Sequence, residues 1–119
     1  MTYEDLEIKG QTIIDIVRDG NAELIFKTKE GNTYKMYHYQ DCCESVEIDD
    51  ICGDLNDLLN YPLLMAEVAS KDGNENDDWG TSTWTFYKLG TIKGCVTIRW
   101  YGESNGYYSE SVDFEKINN

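Results

Sequence analysis

The chain has 119 residues, 40% hydrophobic and 13% aromatic, with 23 acidic against ten basic side chains for a formal charge of −13. That length suits one domain, which buries roughly two thirds of its unfolded surface and leaves no room for a second core. The acidic balance argues against nucleic-acid binding by phosphate neutralisation and against anionic membranes, and no apolar run approaches the ~18 residues of a membrane-spanning helix.

The opening MTYEDLEIKG has neither the basic n-region nor the apolar h-region of a secretory signal. A cytoplasmic location with reduced thiols is therefore expected. Asp19-Gly20-Asn21 separates QTIIDIV from AELIFKT, and Glu30-Gly31-Asn32 separates AELIFKT from TYKMYHY. Both read as tight hairpins. In AELIFKT, Ala22, Leu24 and Phe26 share one face, the alternation of a half-buried strand. SVEIDDI then puts Val46 and Ile48 opposite Glu47 and Asp49.

After Gly53, Asp54 reads as the N-cap of a short helix near 54–60, with Leu55, Leu58 and Leu59 as its apolar stripe and Pro62 beyond its end. Leu63 to Ala69 can form a strand. SKDGNENDDWGTS has loop composition. Three strands close the chain: TWTFYKL, GCVTIRWYG and YYSESVDFE. In the last of these Tyr108, Val112 and Phe114 share a face that also carries Glu110. Consecutive hairpins with one short helix predict an α+β domain, a mostly antiparallel, meander-like β-sheet of about seven or eight strands.

Charge is distributed unevenly. Residues 36–87 hold twelve acids and one base, net −11, while 1–35 carry net −2 and 88–119 are neutral. This acidic sector opens with MYHYQDCCESVEIDD, which contains the single histidine, two adjacent cysteines and five carboxylates. His38, Asp41, Cys42, Cys43 and Glu44 include every common zinc ligand type. Yet adjacent cysteines in an extended chain point apart, and Cys52 or Cys95 would have to complete a tetrahedral shell. Small buried cysteines and a hydrogen-bonded strand histidine are the simpler reading. A nucleophilic thiol is disfavoured by Asp41 and Glu44, which flank the pair and oppose thiolate formation. Asp72, Asn74 and Asn76 match the first ligand positions of an EF-hand loop, but Asp77 stands where glycine is needed and Thr83 where glutamate is needed. Phosphate-cradling glycine motifs are absent from the sequence. No catalytic residue and no cofactor is assigned.

Aromatic residues crowd the C-terminal half. Cross-strand packing accounts for most of them, with Trp79, in the polar DDWGTS run, as the candidate for exposure, followed by Tyr101, Tyr107 and Tyr108. Two stretches, MYHYQDCCESVEIDDICGDLNDLL and TWTFYKLGTIKGCVTIRWYGESNGYYSESVDF, resemble an uncharacterised family of small proteins encoded by bacteriophages and prophages. The resemblance covers roughly half the chain and implies an accessory protein made in a bacterial cytoplasm, but carries no assigned activity or site residue.

The reading that follows is a non-enzymatic binder of a basic host or phage protein surface, with a nucleic-acid mimic or counter-defence factor as specific versions. Its contact residues would be Glu44, Glu47, Asp49, Asp50, Asp54, Asp57, Asp77, Asp78 and Trp79. Two alternatives stand beside it. One is a small-ligand or metal-binding protein using His38, Cys42 and Cys43, with Lys88, Lys93 and Arg99 as the bases a nucleotide would need. The other is a minor structural or assembly factor.

Overall fold

The computed structural model describes residues 2–73, 80–106 and 108–117. Nine strands run through them: β1 (Glu4–Asp5), β2 (Ile13–Asp19), β3 (Glu23–Thr28), β4 (Thr33–Tyr37), β5 (Ser45–Cys52), β6 (Met65–Asp72), β7 (Thr81–Thr91), β8 (Gly94–Ser104) and β9 (Asp113–Lys116). They form two sheets rather than one meander. Five strands run in the order β1-β6-β7-β8-β5 and four in the order β2-β3-β4-β9, with every pairing antiparallel.

Local chemistry fixes the hairpins. Gly20 and Gly31 adopt positive φ at the two turns that join β2 to β3 and β3 to β4. Thr91 pairs with Gly94, so β7 and β8 are joined through two residues. Three expectations need correction. The strands number nine among the described residues instead of seven or eight, because β1 is two residues long and has no alternation to read. The short helix near 54–60 is a single 3-10 turn, Leu55–Leu58. Asp54 does cap it, accepting from the Asn56 N–H, but Gly53 before it and left-handed Asn60 (φ 71°) after it leave space for only one turn. A helix that short gains too few hydrogen bonds to propagate as α. The last strand also begins at Asp113 instead of near Tyr107, because the chain upstream of it is crossing from one sheet to the other.

The inner faces of both sheets contribute to one apolar cluster. Leu24 and Phe26 of β3 and Tyr34 and Met36 of β4 meet Tyr87 and Leu89 of β7 and Val96, Ile98 and Trp100 of β8. Trp100 is fully buried, and its indole N–H donates to the Met36 sulfur at 3.2 Å, spanning the two layers. Phe114 of β9 stacks on Tyr34 with ring centroids 5.4 Å apart. Gly102 sits on the inner face of β8, where a Cβ would lie 2.9 Å from both the Glu110 carbonyl oxygen and Val46 Cγ2. The absence of a side chain there lets the segment before β9 lie against the sheet.

Trp100→Ala should destabilise the fold by about 3–5 kcal/mol, and Gly102→Ala by about 1–3 kcal/mol through overpacking, both read from urea midpoints. Ile92→Ala, at an exposed hairpin tip, should stay within about 0.5 kcal/mol of the parent.

Candidate functional site

Three of the candidate acids, Glu47, Asp49 and Asp50, lie on a strand that has a sheet neighbour on one side only and is met on the other at Ile48, whose N–H donates to the Asn21 carbonyl at 2.8 Å. β5 is the outer strand of the five-stranded sheet, beside β8. Its alternation buries Ile48 and half-buries Val46 while exposing Glu47, Asp49 and Asp50. A register shift between Ile48 and Asp50 marks a bulge, which brings two successive carboxylates to the solvent side. Asp54 and Asp57 follow on the 3-10 turn, Asp54 exposed and Asp57 half-buried against Gly94. Charge on an outer strand also blocks edge-to-edge sheet pairing.

Beside this edge lies the outer face of the same sheet. Glu47 pairs with Tyr101, and Tyr101 with Trp84, so acid and aromatics form one cross-strand row. The Tyr101 and Trp84 rings lie 4.5 Å apart, both half-buried. Arg99 joins the two features. Its guanidinium lies 5.2 Å from the Trp84 ring and donates to Asp49 from Nε at 2.9 Å and from a terminal nitrogen at 2.5 Å. Asp49 is thus neutralised within the chain, whereas Glu47 and Asp50 have no lysine or arginine within salt-bridge distance among the described residues.

Glu44 does not belong to that surface. It is buried, and its carboxylate accepts from the backbone N–H groups of Asp41 (2.9 Å) and Cys42 (2.8 Å) and from the Gln40 amide (3.1 Å). His38 Nε2 lies 2.9 Å from the same carboxylate, and His38 Nδ1 donates to the Ser111 carbonyl oxygen at 2.7 Å. Burial disfavours the charged form of Glu44, but these donors outweigh it and hold the carboxyl down at about 2. Glu44 is therefore a structural anchor of the 40–44 turn and is withdrawn from the contact set.

The same geometry removes the metal arrangement considered for His38, Cys42 and Cys43. Both ring nitrogens of His38 are occupied, and Cys42 and Cys43 are joined to each other as a disulfide across adjacent residues, contrary to the expectation of free thiols. The turn that curls around Glu44 brings neighbouring side chains to one side, which an extended chain does not. No group of three or more histidine, cysteine or acidic residues is placed to hold a metal ion among the described residues. Asp77, Asp78, Trp79 and Tyr107 lie outside the described residues. Tyr101 and Tyr108 are half-buried rather than exposed. The aromatic row of Trp84 and Tyr101, and the role of Arg99 in tying it to the acidic edge, depend on sheet order and have no local signature.

Glu44 gives a pH signature with a definite sign. Its folded carboxyl titrates below the ordinary 4.5, so on acidification the unfolded chain takes up this proton first. The stabilisation is complete above pH 4.5 and is lost as pH falls toward about 2. Glu44→Gln should lower the urea midpoint at neutral pH, and the gap from the parent should close across that acidic window. A gap independent of pH would show that the carboxylate charge is not what anchors the turn.

No curated protein and no solved structure matches the chain. Residues 6–114 match the model of a family described as a domain of unknown function, DUF7448, a span that takes in all but the first and last few described residues. The two-sheet fold described above is therefore that of a member of the DUF7448 family.

Proposed function

We propose that the chain is a non-enzymatic binding protein that engages a basic protein surface through the β5 edge and the adjoining outer face of the five-stranded sheet. The observation that carries this reading is the row Glu47–Tyr101–Trp84, where exposed, unneutralised acids adjoin half-buried aromatics. Tyr and Trp supply most of the energy at protein interfaces, while complementary charge sets partner choice and association rate. Lys71 and Lys88 sit among the middle strands of the same face, so the negative field is strongest at β5 and weakens inward. A partner would thus set lysines or arginines against Glu47, Asp50 and Asp54 and an apolar or planar group against Trp84. Such a surface also suits a protein groove that ordinarily holds nucleic acid, which is the mimic form of the same proposal. The likeness to small bacteriophage-encoded proteins supports a partner found in a bacterial cytoplasm.

The test is capture of partners on the tagged chain at about 0.1 M and about 0.5 M salt, where screening shortens from ~10 Å to a few ångströms. The expected partner is a basic protein released at the higher salt. The double variant Glu47→Lys with Asp50→Lys should weaken its binding at least tenfold, equivalent to about 1.4 kcal/mol, without changing the urea midpoint by more than ~0.5 kcal/mol. A partner retained equally by parent and double variant would overturn the proposal.

A further inference from the structure

The core-facing side of the five-stranded sheet changes character along β7. Leu89, Tyr87 and Thr85 are buried in turn, and Thr83 and Thr81 continue that face beyond the apolar interior. The segment 108–112 lies against this polar end. Between it and the sheet is a groove of about 680 Å3, open to solvent, whose walls include Glu4, Val68, Thr81, Thr83, Glu110 and Val112.

Glu110 is 9% exposed. Its Oε2 accepts from the Thr81 hydroxyl and from Ser104 Oγ at 2.6 Å, and its Oε1 accepts from Thr83 Oγ1 at 2.7 Å. Burial works against its charge, but the hydroxyls of Ser104, Thr81 and Thr83 keep the carboxyl below its ordinary range. A hydroxyl has one proton, and a threonine that gives it to a carboxylate has only lone pairs left to offer. Thr81 and Thr83 therefore face any ligand as acceptors, around a carboxylate with further acceptor capacity of its own. None of the ten lysines and arginines is among the lining residues. Lys71, next to Ser70 in β6, pairs with Trp84 on the opposite face.

A groove with acceptors at its polar end, a negative charge and an apolar side calls for a ligand with N–H donors, a positive charge and a hydrocarbon stem. We propose that this groove binds a primary alkylammonium group. The ammonium's three donors would be shared among Glu110 and the Thr81 and Thr83 oxygens, and the carbon chain would lie on Val68 and Val112. An ammonium is a compact three-donor charge on a flexible stem, unlike the planar fork of a guanidinium. A bare metal ion would leave most of 680 Å3 empty and its apolar wall unused. The same chemistry is carried by a free polyamine and by a lysine side chain of a partner. The groove lies on the inner side of the sheet and β5 on its edge, so the site stands or falls independently of the function proposed above.

The test is an amide-resolved NMR titration of the whole chain with putrescine, spermidine and Nα-acetyl-lysine amide, with a butanediol as neutral control. Saturable shifts are expected at Thr81, Thr83, Glu110 and Ser111 with at least one amine and none with the diol. Tighter binding of the polyamines would identify a free ligand, and tighter binding of the lysine amide a partner side chain. Glu110→Gln should weaken binding at least tenfold. Because that change removes a buried anchor, Glu4→Lys supplies a second variant on an exposed two-residue strand, where the new ammonium should compete and abolish amine binding. Three results would overturn the proposal: no saturable shift with any amine, equal shifts with the diol, or unaltered binding in Glu4→Lys.

Discussion

The His38 ring lies where two excursions of the chain between the sheets meet, and it holds both. One nitrogen donates to the Ser111 carbonyl, in the segment that leads from β8 to β9, and the other faces Glu44, in the turn that leads from β4 to β5. Two sheets that share one interior require such crossings, and a crossing has backbone groups with no ladder to join. Here each crossing is anchored by a buried carboxylate: Glu44 gathers the N–H groups of its own turn, and Glu110 gathers three hydroxyls from β7 and β8. The imidazole joins one anchored crossing to the other.

This arrangement divides the acids into two kinds. Glu44 and Glu110 are buried and hydrogen-bonded within the fold, where their charge organises loops. Glu47, Asp50 and Asp54 are exposed and organise nothing but a capping bond and a weak thiol contact. A total of −13 therefore overstates the field available to a partner, to which Glu44 and Glu110 add little and Glu47, Asp50 and Asp54 contribute from the β5 side of one sheet. Arg99 sets the inner limit of that field by neutralising Asp49 while resting over Trp84.

The vicinal disulfide follows from the same crossing. Once Glu44 draws the Asp41 and Cys42 amides toward itself, the chain at 41–43 curls, and the two sulfurs come within bonding distance at the surface. Residues that suggest a metal or nucleophile site when read along the chain are, in three dimensions, an anchored turn with its histidine turned inward.

Much of the fold is legible in the sequence because its determinants are local. Period-2 alternation in AELIFKT and SVEIDDI, and glycine at the β2–β3 and β3–β4 turns, specify strands and hairpins through contacts a few residues apart. The acidic character of 36–87 is likewise a property of the chain itself. The division into two sheets, the outer position of β5 and the fates of individual carboxylates are not local properties. Glu44 and Glu47 are both acids in one short stretch, and what separates them is the turn that closes the Asp41 and Cys42 amides on the first, with His38 bridging it to Ser111. Glu110 gives a partial signal as an acid on the same face as Tyr108, Val112 and Phe114, but its three hydroxyl partners lie 6 to 29 residues away. Sequence determines which residues alternate and where the chain turns, because those choices are made by neighbours. Tertiary structure decides which acids are satisfied inside and which face a partner, because that depends on donors brought together only when the sheets pack.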